Sequence, residues 1–172
     1  ILREEIRMDS DLEVIYDVSH NIAKIENHKV HGVSCECCVH RKGATRALGG
    51  DHSELAGKFS GIGQPVLVPG DMGTASWVLS GPESGGNDAF SSSCHGAGRK
   101  LSRTAARNQI DSFELKKQLE NNGINVHTKT PNVLSEVAPG AYKDVDELIR
   151  LTCEVGLART VARMKPFAVI KG

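Results

Sequence analysis

Residues 28–40 read HKVHGVSCECCVH, and their alternation decides the fold class. Val33, Cys35, Cys37 and Val39 fall at every second position, the period of a strand with one buried face. His31-Gly32 interrupts the run where a tight turn fits, since glycine reaches positive φ at no steric cost. The stretch His28–His40 is therefore expected to form two short strands. Farther along, the spacing of apolar residues lengthens to that of helices. Arg99–Asn108, Asp111–Asn122 and Asp144–Val155 read as helices, the last two closed by Gly123 and Gly156. Asp9–Asn27 also reads as a helix, with Leu12, Ile15, Tyr16, Ser19, Ile22 and Ala23 on one face and Asp9 or Ser10 as N-cap. Strands are expected over Gln64–Val68, Trp77–Leu79, Ile124–His127 and Thr160–Ile170, and loops over His40–Gly50 and Gly81–Asp88. Helices and strands mix without a regular βαβ rhythm. The expected class is α+β, with mixed or antiparallel sheets and flanking helices.

The 172 residues suit one domain or one lobe of a larger one. With 39% hydrophobic and 4% aromatic residues, the core must be built from Val, Ile, Leu and Ala. Twenty-one basic and 21 acidic residues cancel, so any nucleic-acid site must be local rather than a property of bulk charge. The 18 glycines cluster in a way that suggests shaped loops. No apolar run approaches the roughly 18–20 residues of a membrane span, and no signal peptide is visible. Five cysteines, an odd and uneven set, favour a reducing compartment, and a cytoplasmic location is expected. The chain opens on Ile1 without an initiator Met, which reads as a cut from something longer.

Several segments carry chemistry. In Ser91–Ser102, SSSCHGAGRKLS, small residues at Gly96, Ala97 and Gly98 leave backbone N–H groups uncovered before an expected helix. That arrangement binds phosphate through oriented amides and the helix dipole. A histidine at its mouth, His95, can attack phosphorus. A capped turn with a solvated histidine fits the same spacing. HRKGATR, His40–Arg46, could hold RNA phosphates or be a solvated basic loop, and spacing does not decide. PGDMGTAS, Pro69–Ser76, follows an apolar strand and could close on a base or ribose, but matches neither a Walker loop nor GxGxxG. His20 stands without a neighbouring ligand set, as a surface residue would. His31, Cys35, Cys37, Cys38 and His40 invite a zinc reading, but no second cysteine pair exists and core cysteines fit better.

Taken together, YDVSHNIAK, VHRKGATRA, GQPVLVPGDMGTASWVL, SSSCHGAGRKLSR, APGAYKDVDE and ARMKPFAVIKG resemble, in order, segments of the RtcB family of RNA ligases. They run from Tyr16 to Gly172. The resemblance implies an RtcB-like fold and joining of RNA 3′-phosphate or 2′,3′-cyclic phosphate ends to 5′-hydroxyl ends, through a GMP-histidine, in tRNA splicing or RNA repair. It implies GTP and manganese as cofactors, RNA as partner, and in some members an activating protein, archease. It makes His95 the catalytic nucleophile and His20 a metal ligand. Pro69, Gly70, Asp71, Met72, Ser76, His95, Ala97, Gly98, Tyr142 and Lys171 become the nucleotide pocket. His40, Arg41, Lys42, Arg46, Arg99 and Arg103 become candidates for gripping RNA or triphosphate.

Two departures from the family pattern follow. Asp71 stands where the family often has Ser, and a carboxylate there repels phosphate unless it turns away or holds metal. The family's other manganese ligands belong to an N-terminal half that this sequence lacks. The chain is then a C-terminal portion of one catalytic domain, expected to be inactive alone. The alternative is a non-catalytic fragment that binds GTP or RNA phosphate.

Overall fold

A computed structural model describes residues 13–55, 57–83 and 88–171. Its first feature is a long antiparallel hairpin, β1 (Asn21–Val30) and β2 (Val33–Lys42), in register from Asn21↔Lys42 to Val30↔Val33. His31 at φ 50° and Gly32 at φ 80° make the turn. Two central residues at positive φ are what a two-residue hairpin matching strand twist requires. On β2, Cys35, Cys37 and Val39 lie on the more covered face, as the alternation demands.

The helix expected over Asp9–Asn27 is not present from Glu13 onward: residues 13–20 lack regular structure and Asn21–Asn27 belong to β1. Asp9 to Leu12 lie outside the described residues. The inward face of β1 explains the difference. It carries Ile22, Glu26, His28 and Val30, so a glutamate and a histidine replace the apolar residues that announce a strand. Ten ladder partners on β2 then override local propensity.

The basic segment at His40–Arg46 is not a loop either. His40 to Lys42 complete β2, Gly43 turns the chain at φ 67°, and β3 (Ala44–Arg46) pairs antiparallel with β6 (Ser92–Cys94). A three-stranded antiparallel sheet has the order β4 (Pro65–Val68), β5 (Ser76–Ser80), β8 (Arg159–Met164). The expected single strand over Thr160–Ile170 is two strands in two sheets, parted at Pro166. Its second half, β9 (Ala168–Lys171), pairs in parallel with β7 (Asn125–Thr128).

Among the described residues four α-helices pack on these sheets, α1 (Arg103–Gln109), α2 (Ser112–Asn121), α3 (Pro131–Glu136) and α4 (Val145–Glu154). Each of three begins where a side chain accepts the first orphan N–H groups: Ser102 for α1, Asp111 for α2 and Asp144 for α4. α1 therefore starts at Arg103, not Arg99. α3, with Pro131 at its start, is too short to show a period in the sequence. The α+β class stands. Among the described residues no helix is long and apolar enough to cross a membrane.

Two apolar cores result. One joins Ala47, Val66, Val68 and Leu79 to Val145, Ile149 and Ala158, sealing α4 onto the three-stranded sheet. The other joins Met72, Leu115, Leu119, Ile124, Val126, Leu134, Ala138 and Val169 around β7 and β9. The hairpin is held by a charge pair instead. Arg41, with a side chain 1% exposed, donates to Glu26 Oε1 at 2.9 Å and Oε2 at 2.8 Å. It also donates to Ser92 Oγ at 2.9 Å and the Phe90 carbonyl at 2.7 Å. Burial opposes ionisation of Glu26, but hydrogen bonds from Arg41 and His28 and the charges of Arg41 and Arg46 outweigh it, holding the carboxyl below its usual range.

Replacing Glu26 by Ala leaves the Arg41 charge buried without its partner, and about 3 kcal/mol or more of stability should go, read by urea unfolding. Because the folded pKa of Glu26 is depressed, its contribution is present above the unfolded carboxylate pKa and lost as pH falls through the folded one. Glu26→Ala should lack that acid-sensitive component.

Candidate active site

The loop between β4 and β5 is built on its own side chains. The Gly70 N–H donates to Ser76 Oγ at 3.1 Å, and the Asp71 N–H to Thr74 Oγ1 at 3.0 Å. A Cβ on Gly70 would sit 2.1 Å from the Ala75 carbonyl oxygen, so only glycine fits. Asp71 Oδ1 accepts from the N–H groups of Gly73 (2.8 Å) and Thr74 (3.0 Å). The Asp71 carboxylate thus ties the loop to itself. Ser76 supports the loop and does not line the cavity beside it.

His95 follows directly on β6. The expectation of a phosphate cradle at a helix N-terminus is corrected here, since residues 95–102 have no helical turn and α1 begins only at Arg103. The glycine segment instead runs alongside residues 139–143. Lys100 and Leu101 N–H groups donate to the Ala141 carbonyl at 2.8 and 3.2 Å, and the Lys143 N–H to the Gly98 carbonyl at 3.0 Å. Arg99 and Tyr142 form the bridge between the two segments. The Arg99 guanidinium lies 4.7 Å from the Tyr142 ring centre, donating to Tyr142 Oη (2.8 Å) and to the carbonyls of Leu101 (2.9 Å) and Glu136 (2.6 Å). Arg99 therefore holds Tyr142 in place, and these donors are not offered to a phosphate.

A cavity of about 490 Å³ opens between these parts. Residues 69–72 and Thr74 form one wall, 95–98 another, and Tyr142, Lys143, Val145, Pro166 and residues 168–171 the rest. Parallel pairing of β9 with β7 (Thr128↔Lys171) delivers Lys171 to this cavity, so it is a strand residue and not a loose tail. Of the residues expected to form a nucleotide pocket, all but Ser76 line it. Sequence reading marked Gly96 only for its backbone N–H and did not single out Thr74, Val137, Lys143, Val145, Pro166 or residues 168–170. Most are apolar or act through backbone and have no chemical signature. Lys143, the cation beside Tyr142, was the one signal available.

His20 is brought to His95 from outside any helix. The rings stack with centres 4.0 Å apart and planes 1° apart. The His20 carbonyl accepts from Gly43 and the Ser19 carbonyl from Thr45 Oγ1, fixing the segment before β1. Burial and, second, the charge of His20 push the His95 pKa below the usual histidine value. The Leu67 backbone opposes the shift, although no bond of hydrogen-bonding geometry reaches the buried Nδ1. His95 is therefore a neutral imidazole near pH 7.

The residues present do not make a complete metal site. Among the described residues no three His, Cys, Asp or Glu side chains converge to hold an ion, whereas a catalytic metal takes about three protein ligands. All five cysteines are free, with only Cys38 exposed. The remaining cationic candidates stand away from the cavity. Arg41 is buried on Glu26, Arg46 pairs with Glu54 at 2.7 Å, and Lys42 donates to Asn21. His40 and Arg103 are exposed, on β2 and at the start of α1.

In a proton NMR titration His95 should lose its proton at lower pH than an ordinary histidine. Its folded pKa lies below its unfolded one, so the native state binds fewer protons and loses stability as pH falls below about 6.5. His95→Gln should flatten the stability curve on that acid side.

Comparison with known proteins closes the question of family. A model of the family described as tRNA-splicing ligase RtcB matches residues 1–172. Proteins named tRNA-splicing ligase RtcB align along nearly the whole chain. The one from Thermococcus kodakarensis is 49% identical, covering 95% of this chain and 34% of its own length. That from Nanoarchaeum equitans is 46% identical over 100% of the chain and 36% of its own length. That from Pyrococcus horikoshii is 45% identical over 100% and 20%. The chain spans about a third or less of these relatives, and it belongs to the RtcB family.

Proposed function

We propose that this chain carries the guanylylation centre of an RNA ligase that joins 3′-phosphate or 2′,3′-cyclic phosphate ends to 5′-hydroxyl ends, as in tRNA splicing or RNA repair. The observation that carries the reading is a half-buried His95 facing a cavity that also presents Tyr142 and Lys171. A volume of about 490 Å³ is that of a small-molecule site. The names of the relatives support an RNA substrate.

Because Nδ1 is buried, Nε2 is the nitrogen free to act. Its lone pair attacks the α-phosphorus of GTP and pyrophosphate leaves with the bonding electrons. The GMP then passes to an RNA 3′-phosphate oxygen, releasing the histidine and giving a 3′-diphosphate-linked guanosine. The 5′-hydroxyl of the second RNA attacks the RNA phosphorus, loses its proton, and GMP leaves. Tyr142, braced by Arg99, offers its ring to the base. Lys143 and Lys171 offset charge on the nucleotide. Asp71, tied into its loop, shapes the cavity wall.

Manganese would supply charge neutralisation at phosphate. His20 is proposed as one ligand, with the others from outside these 172 residues. The chain alone is then expected not to ligate. An activating partner such as archease and a cytoplasmic setting belong to the same proposal. The incomplete ligand set favours a second reading, a fragment that binds nucleotide or RNA phosphate without chemistry.

The test is incubation with α-labelled GTP and manganese, with and without the N-terminal half of a relative. Label on His95 only in the combined sample supports the ligase reading, and no label in either supports the second. His95→Ala should abolish labelling; undiminished label in that variant removes His95 as nucleophile.

A further inference from the structure

We propose that a second cleft, opening from the nucleotide cavity, seats the phosphodiester backbone of the RNA strand on Lys100, Lys143 and Lys165. The proposal rests on the ligase reading above.

The cleft has a volume of about 500 Å³ and shares a wall with the nucleotide cavity at Asp71, Thr74, Tyr142, Lys143, Val145 and Pro166. The two adjoin: His95 lines the first, Lys100 and Lys165 line the second, and Lys143 lines both. The backbone places the lysines. Arg99 faces Tyr142 across an antiparallel bridge, with Lys100 bonded to Ala141 and Lys143 to Gly98 on either side of it. Lys100 and Lys143 both reach the cleft beside Tyr142. Lys165 reaches the cleft from the segment between β8 and β9.

Three carboxylates line the cleft, and each is held in place by the fold. Asp71 accepts from Gly73 and Thr74, and Asp144 caps α4. Asp146 takes the Trp77 indole N–H at 2.8 Å and pairs with Arg163 at 2.6 Å. Lys100, Lys143 and Lys165 are exposed, and among the described residues none has a carboxylate partner within ion-pair distance. With Asp146 paired to Arg163, the three lysines outnumber the remaining carboxylates, Asp71 and Asp144, and the cleft keeps a net positive charge. Lysines are flexible point charges, suited to backbone phosphates of any sequence and unsuited to reading a base. A strand whose 3′-phosphate sits at His95 has to leave that cavity, and the cleft gives it an open, cationic way out.

The test uses the protein with Lys100→Gln and Lys165→Gln together, neither of which lines the nucleotide cavity. Binding of a short fluorescent RNA ending in a 3′-phosphate is followed by anisotropy against salt. Affinity should fall about tenfold at low salt, and the slope of log K against log salt should shrink by about 1.4, since each single-strand phosphate contact contributes about 0.7. Labelling of His95 by GTP should survive. The Lys100→Arg, Lys165→Arg pair should bind as the wild type does, which separates lost charge from lost folding. Unchanged affinity and slope in the glutamine variant, or no RNA binding by the wild type, overturns the cleft assignment. Absence of His95 labelling in the wild type supplied with manganese and the N-terminal half of a relative overturns the ligase reading instead.

Discussion

A short backbone seam holds the site together. Residues 98–101 bond to residues 141–143, and Arg99 locks Tyr142 from the side. The seam joins the two apolar cores, because α4 and its sheet lie on one side and the β7–β9 layer on the other. The cavity sits where the cores meet: Met72 and Val169 come from one, Val145 and Ala97 from the other. Each bond is worth only about 1 kcal/mol net. Together they fix His95 relative to Tyr142 and Lys171, which no single element could do. Catalysis by positioning depends on such fixed relations.

Glycine and aspartate do related work around the cavity. Gly70 is required where the Ala75 carbonyl approaches it, and Asp71 closes the same turn. Asp71 looked like an electrostatic fault while the turn was unknown. In the folded chain its Oδ1 faces two N–H groups, so its charge serves the loop that forms the wall. Arg41 makes the same point in reverse. Within HRKGATR it looked like an RNA contact, but it is the buried half of the pair that anchors the hairpin.

What the sequence made legible follows from which residues speak locally. The turn at His31-Gly32, the helix starts at Asp111 and Asp144 and the terminal glycines of those two helices could all be read, because each rests on neighbouring residues. The first half of β1 could not, because its covered face is polar and its partner distant in the chain. The split at Pro166 depended on two different sheets claiming the two halves. Ordered motifs brought nine of the eighteen residues lining the cavity to notice. They did not reveal that Arg99 braces Tyr142 or that Lys143 faces the cavity, since both follow from a pairing between segments about forty residues apart.

The central claim is that His95, Tyr142 and Lys171 face one guanine-nucleotide cavity. Titrating GMP without metal into ¹⁵N-labelled protein tests it most directly. The account predicts that resonances of residues 69–72, 95–98, 142 and 168–171 shift together on one binding curve. Shifts confined to residues elsewhere, or to only one of these segments, would contradict it.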